Sequence, residues 1–393
     1  MAIGLLCDYV ETDEMGIKLT AKELGIDIVY IPFRKVSIGI GEDGSYNFKS
    51  KGNDYSRILK EVEVVLNRAQ SKNRRLIAAS FLETVDKHAI NPLRIEFLCF
   101  SKFRVLLCLL KGGIKVPKTV FIPCDSHEFT KDGHEIRNEE HIADLVQLEI
   151  SDEMLVVKPD AGTHGKEVRL VKGREELIGV LKKIKPSIIN PVGVLAQKFV
   201  QKWFYDLRII VFKEKGKTPC CHPKAMARAG IRDFRTNTAL GNFVFDVDLP
   251  TYIREMAVKC GSAIGGDCEA WLLALDAMID FGEEKFADDK YIRSALERLA
   301  KPFEAFKRVK EDPLKKSNFP NWNKKLEEAF QRYTSLEAYE SVRKIINESV
   351  EKNRYKVLFH EANSCPEFWE QTRLATGANL ADFLFKCAKS ITN

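Results

Sequence analysis

The chain has 393 residues, 45% hydrophobic and 30% charged, which is enough to bury a sizeable core and suggests two or three domains. Its 62 Lys and Arg against 56 Asp and Glu leave a formal charge of +6, too diffuse for a nucleic-acid stripe and better suited to an anionic substrate or an acidic protein partner. No apolar run reaches the ~18 residues of a membrane span, and ten scattered cysteines without zinc spacing read as reduced thiols, hence a cytoplasmic protein without a membrane partner.

Residues 2–7 read as a first strand, since no basic n-region or cleavage site marks a signal peptide. Met15, Leu19, Ala21 and Leu24 recur at helical spacing over 12–24, and 28–31 is a second strand closed by Pro32. This β-α-β start predicts a parallel sheet. Residues 38–55, with four glycines, read as a loop or hairpin. Helices at 55–62 and 73–86 flank a strand at 64–67, and the unit ends near Asn91-Pro92. A helix over 101–112 is capped by Ser101 and stopped by Gly112-Gly113. Strands at 118–122 and 154–158 are separated by a helix near 138–147. After a helix at 174–184, the strand 194–200 runs into a linker that could hold a flat base by its backbone. Further strands carry Asp206 and Arg208, then Lys224, Met226 and Arg228, and a helix at 250–265 follows. Residues 283–354 read as helices, 292–309 and 326–346, with basic residues clustered on them. Such faces are commonly solvated; a docking surface for an acidic macromolecule and a lid are the other readings.

The chemistry concentrates at two places. The apolar run 357–359 ends in Glu361 and Asn363, which share one face of a strand and can present oxygens to one point. Asp276 closes another apolar run, 270–275, so neighbouring strands would assemble an acid-acid-amide set suited to nucleotide-bound Mg²⁺. Between strands, Lys158 precedes a polar loop holding Gly162, Thr163, His164, Gly165 and Lys166. Its glycines would let backbone N–H groups approach a phosphate, although a plain β-hairpin fits the same residues. Cys365 beside the acids could be a catalytic thiol or simply a buried one.

Taken in order, these stretches resemble an ATP-grasp ligase of the RimK-like group, in particular those joining an amino acid to an amino-group carrier protein in lysine and arginine biosynthesis. The resemblance rests on 234–241 (FRTNTALG), on Glu361-Ala362-Asn363 with Pro366-Glu367-Phe368, and on Thr376-Gly377-Ala378-Asn379. Lys158 with the glycine loop, and 197–200 followed by Asp206-Leu207-Arg208, support it; 283–354 has no counterpart in it. It implies an α/β (α+β) ATP-grasp fold. A parallel-sheet pre-ATP-grasp domain would occupy 1–95, and a central subdomain with the lid loop 96–200. A C-terminal subdomain, 201–393, would carry the metal site and the helical insertion 283–354.

The resemblance further implies residue roles. Lys102, Lys158 and the 162–166 loop would meet the phosphates of ATP, Gln197, Lys198, Phe199 and Val200 the adenine, and Asp206 the ribose. Arg208, Arg228 and Asn237 would act on the transferred phosphate and the oxyanion. Asp276, Glu361 and Asn363 would hold two Mg²⁺, with Mn²⁺ as a substitute. Arg235, Thr236, Glu367, Phe368 and Arg373 would meet the substrate. Lys198 stands where the group commonly has an acid, and Cys365 and Trp369 match no particular subgroup. The implied reaction is amide-bond formation through an acylphosphate, adding an amino acid to a carboxylate of a small acidic carrier protein or peptide. A ligase for a small-molecule acid, and a nucleotide-binding sensor or scaffold without catalysis, are the alternatives; a homo-oligomer is left open.

Overall fold

The computed structural model describes residues 2–34, 36–50, 52–123, 138–162, 165, 167–184, 193–230, 233–236 and 242–392. The N-terminal unit runs β1 (Ile3–Cys7), α1 (Thr12–Glu23), β2 (Ile28–Pro32), β3 (Val36–Ile40), β4 (Tyr46–Ser50), β5 (Asn53–Asp54), α2 (Ser56–Glu61), β6 (Val64–Asn67), α3 (Lys72–Thr84) and β7 (His88–Ile90). Its main sheet has the order β2-β1-β6-β7 and is parallel throughout, as the β-α-β reading predicts. The glycine-rich stretch is the antiparallel β3-β4-β5 flap, whose Phe48 packs into one face of the unit beside Leu6, Ile31 and Phe33.

Helices α4 (Leu93–Phe100) and α5 (Lys102–Lys111) lead into the central unit. Ser101 caps α5 by accepting from the Arg104 N–H at 3.1 Å, and Gly113 leaves it at φ +67, a conformation that costs glycine least. The central unit holds β8 (Thr119–Pro123), α6 (Glu139–Glu149), β9 (Met154–Pro159), β10 (Arg169–Lys172), α7 (Gly173–Leu181) and β11 (Gly193–Lys198). Its sheet is antiparallel in the order β10-β9-β11-β8, and α6 and α7 complete a separate small core.

The C-terminal unit comprises β12 (Tyr205–Lys213), β13 (Cys220–Cys221), β14 (Lys224–Ala229), β15 (Phe243–Asp248), α8 (Thr251–Gly265), β16 (Trp271–Ile279), α9 (Asp289–Glu311), α10 (Phe319–Thr334), α11 (Glu337–Lys352), β17 (Val357–Asn363), α12 (Thr372–Thr376) and α13 (Leu380–Thr392). Its antiparallel sheet has the path β15-β14-β12-β16-β17, with β13 paired to β12. Asp276 is therefore inside β16 rather than at its end, because the strand continues through Ala277, Met278 and Ile279.

The single helix expected over 326–346 is two helices, broken at Ser335-Leu336. The break lets Phe330 and Tyr333 on one side and Tyr339 and Val342 on the other all reach the core. There Tyr333 and Tyr339 pack on Phe245 of β15, a strand the sequence reading did not anticipate. The helices of 283–354 are thus amphipathic: Lys301, Arg308, Lys316, Lys324 and Lys325 face solvent, while Phe303 and Phe306 are buried. Among the described residues, no helix is long and apolar enough to cross a membrane.

Candidate active site

Register across the C-terminal sheet builds the site. On β14, β12, β16 and β17, Met226 lies opposite Arg208, Arg208 opposite Asp276, and Asp276 opposite Glu361. Directly opposed residues project to the same face, so these side chains form one row. The neighbouring row pairs Asp206 with Arg228, and Asn363 lies two residues beyond Glu361.

The pairing slips between Asp276/Ala277 and Glu361/Phe359, leaving His360 as an unpaired bulge residue. A bulge turns two successive side chains toward one side, and both His360 and Glu361 line the cavity.

The carboxylates are held by cations. Arg208 grips Asp276 bidentately, Nε to Oδ1 at 2.9 Å and Nη2 to Oδ2 at 3.0 Å, and Arg228 Nη2 reaches the same carboxylate at 3.1 Å. Arg228 Nε also donates to Asp206 at 2.7 Å, and Asp206 further receives Thr236 Oγ1 and lies 3.7 Å from Lys202. Burial alone would raise the Asp276 pKa, but Arg208 and Arg228 more than offset it and hold the group ionised. Glu361 is likewise lowered against its burial, chiefly by Lys102, whose Nζ is 3.6 Å away. Lys102 also donates to the Gly162 carbonyl at 2.6 Å, which ties the glycine loop to the acids. Burial pushes Lys158 down to about 8 despite Glu361, and Lys72 to about 8 as well. His360 falls to about 4 by burial and the nearby Lys158, so it is neutral at pH 7; among the described residues neither ring nitrogen has a partner.

These groups line a cavity of about 530 Å³ between the central and C-terminal sheets. Lys102, Lys158, Gly162, Gly165, Gln197, Lys198, Phe199, Val200, Asp206, Arg208, Arg228, Arg235, Thr236, Asp276, Glu361, Asn363 and Glu367 all face it. Thr163, His164, Lys166 and Asn237 lie outside the described residues. A second cavity of about 670 Å³ adjoins the first, sharing Gln70, Arg75, Arg208, Lys310, Cys365, Glu367 and Gln371, and Phe368 lines it. Arg373, expected at the substrate, lines neither: it donates to Glu327 at 2.8 Å and to Asn323 at 2.9 Å on α10. It points at the insertion because α10 supplies the carboxylate that neutralises it.

The arrangement can bind a polyanion at converging lysines and arginines beside ionised carboxylates. Residues 100–276 match the RimK-like ATP-grasp domain. That stretch carries a RimK-like ATP-grasp domain, and the chain is an ATP-dependent ligase. It is 25% identical over 284 residues to an alpha-aminoadipate–LysW ligase of Sulfurisphaera tokodaii, covering 71% of this chain and 86% of that protein. It is 27% identical over 241 residues to a coenzyme gamma-F420-2:alpha-L-glutamate ligase of Methanocaldococcus jannaschii, covering 56% and 73%. Among solved structures it is similar to a RimK domain protein of Sphaerobacter thermophilus, at TM-score 0.47 and 16% identity over 71% of this chain and 86% of that one. The ligase forms amide bonds at the expense of ATP.

Several residues facing the ligase's cavities escaped the sequence reading. Lys72 and Arg75 come from α3 of the N-terminal unit; Arg75 is fixed by the buried Glu96 at 3.1 Å, which also accepts from Ser364 at 2.8 Å. An Arg three positions before Ala78-Ala79 in a helical stretch carries no signal of this by itself. His360 could not be found without the bulge. Cys365 faces the cavity, but burial raises its pKa and disfavours the nucleophilic thiolate. Trp369 packs its ring where a side chain on Gly16 of α1 would have to go, so the loop after β17 is docked on the N-terminal unit. Buried Asp13 strengthens that docking by accepting from the N–H groups of Phe368 and Trp369 at 3.2 and 2.9 Å.

Proposed function

We propose that the first cavity, between the central and C-terminal sheets, holds ATP with Mg²⁺ and that the second admits the species being joined, an amino acid and a carboxylate on a small acidic carrier protein or peptide. The row of Arg208, Asp276 and Glu361 across three strands carries the reading. Asp276, Glu361 and Asn363 offer hard oxygen donors on one face. No cluster of three or more His, Cys, Asp or Glu suited to a metal occurs among the described residues. Two carboxylates and an amide, completed by phosphate oxygens, are what a nucleotide-borne Mg²⁺ needs, so the donor set fits two such ions. Bound there, Mg²⁺ would neutralise the β- and γ-phosphates.

The protein's own residues would do the rest. Lys102 and Lys158 bind the phosphates, and 197–200 offer backbone groups and Phe199 to the base, with Asp206 near the ribose. A substrate carboxylate oxygen attacks the γ-phosphorus, giving an acylphosphate and ADP, while Arg208 and Arg228 neutralise charge on the transferring group. An amine then attacks the acyl carbon, Arg228 stabilises the tetrahedral oxyanion, and phosphate leaves as the amine loses a proton. Arg235, Thr236, Glu367 and Phe368 bound the path of the reacting species. The glycine loop excludes water, since an acylphosphate hydrolyses readily. The three units assigned from sequence, 1–95, 96–200 and 201–393, then act as substrate-side cover, nucleotide cover and catalytic floor.

The activities for which two relatives are named, on alpha-aminoadipate with LysW and on glutamate with a F420 coenzyme, support an acidic amino acid as amine donor. The test is ADP release screened over amino acids with and without small acidic proteins of the host. Release that requires both an amino acid and one such protein is expected. Release with a small-molecule acid alone would replace the carrier-protein reading.

A further inference from the structure

The insertion does more than cover the edge of the sheet. Its aromatic core anchors α9 and α10 on β15, and Asn323 of α10 accepts from the Trp369 indole N–H at 2.8 Å. This rigid attachment carries the C-terminal turn of α9 and the short 3₁₀ turn Pro313–Lys316 to the mouth of the second cavity. Lys310 and Lys315 line that cavity, and Lys310 lines the first one too, so it stands at their junction. Both side chains are only 20% exposed and meet a single carboxylate, Glu370, at 3.3 and 3.4 Å. Glu370 also accepts from Thr12 Oγ1 at 2.9 Å, which holds it in place. The other cations of the cavity are paired elsewhere: Arg68 with Asp13 and Glu14, Arg74 with Asp8, Arg75 with Glu96, and Arg208 with Asp276, which Arg228 shares. Lys310 and Lys315 thus share one carboxylate, leaving one ammonium charge unmatched at that point of a cavity that Arg208 of the row also lines.

We propose that Lys310 and Lys315 form an anion subsite through which the insertion selects a substrate amino acid by its side-chain carboxylate. The subsite rests on the ligase reading above, in that the second cavity receives a substrate. Its chemistry is shared by a free acidic amino acid and by the acidic terminal residue of an acceptor. Lys315 also donates to the Lys310 carbonyl at 3.2 Å, and the two lysines sit 5.9 Å from the Phe306 and Trp322 rings, so their stems are positioned in advance.

The test compares glutamate with glutamine as free amino acids, and a peptide ending in glutamate with one ending in glutamine. Binding to the resting enzyme is measured by titration calorimetry, and ADP release is measured in parallel. The wild-type chain is expected to prefer the acidic form of one pair by about tenfold or more, and Lys310→Met and Lys315→Met each to erase most of that preference. Lys310→Arg should retain it. The pair that shows the preference names the source of the anion. An unchanged preference in both Met variants, or equal losses for acid and amide, would overturn the subsite. Absence of ADP release from the wild type with every amino acid would count against the ligase reading alone, because calorimetry still reads the subsite.

Discussion

Arg228 has two buried partners, Asp206 and Asp276, so removing it acts on folding and on chemistry at once. Arg228→Ala leaves Asp206 with Lys202 and the Thr236 hydroxyl and is expected to cost about 3–5 kcal/mol, measured as a lowered urea midpoint at unchanged slope. Arg228→Lys keeps the charge but not the fork between two acids; its stability should largely recover while ligation stays about 10²–10³-fold slow. Recovery of both together would contradict the oxyanion role.

Lys158 gives a pH signature. Its ordinary pKa of 10.5 falls to about 8 in the folded chain because burial disfavours the charged form. Below pH 8 the lysine is protonated folded and unfolded alike, and burying it costs stability. That cost is relieved as pH rises from about 8 toward the unfolded value, where the unfolded state binds more protons. Nucleotide affinity runs the opposite way, since phosphate needs the ammonium: it should weaken as pH climbs through about 8. Calorimetry near that pH should record proton uptake on ATP binding, lost in Lys158→Arg. Binding without proton uptake in the wild type would rule this out.

At the scale of elements, alternation along a strand was enough to place Glu361 and Asn363 on one face, and Asp276 beside them needed only the pairing of β16 with β17. The slip that brings His360 into the same cavity follows from the path of two strands distant in sequence, which no local pattern carries. Helix periodicity similarly located 292–309 but not the break at Ser335-Leu336, whose cause is the burial of Tyr333 and Tyr339 against a strand about ninety residues earlier. The resemblance passed over 283–354, and with it the role of Arg373, which that insertion neutralises. Because Phe303 lies in one continuous core with β15 and the rest of the C-terminal sheet, the insertion should not melt by itself. Phe303→Ala is expected to cost about 3–5 kcal/mol. In hydrogen exchange, α9–α11 and β14–β15 should lose protection together. Early loss confined to the insertion would show it to be a separate unit.

Over the whole molecule, one core joins the N-terminal parallel sheet, the C-terminal sheet and the insertion, while the central sheet has its own. Asn91 ties the N-terminal unit to the C-terminal one, donating to the carbonyls of Leu272 and Ser364, both at 2.6 Å. The first cavity lies where the central sheet meets this assembly, so a ligand there bridges two cores. ATP with Mg²⁺ at a hundred times its dissociation constant should stabilise the folded chain by about 2.7 kcal/mol, read as a rise in melting temperature that chelation of the metal reverses. Glu361 stands at the end of the row that organises the floor, held ionised by Lys102. ADP release by Glu361→Gln, set beside wild type under conditions where both melt as folded proteins, is the most direct measurement of the central claim. Release falling to background, with the circular dichroism spectrum unchanged, is the predicted result; a folded Glu361→Gln chain that still releases ADP at the wild-type rate would contradict it.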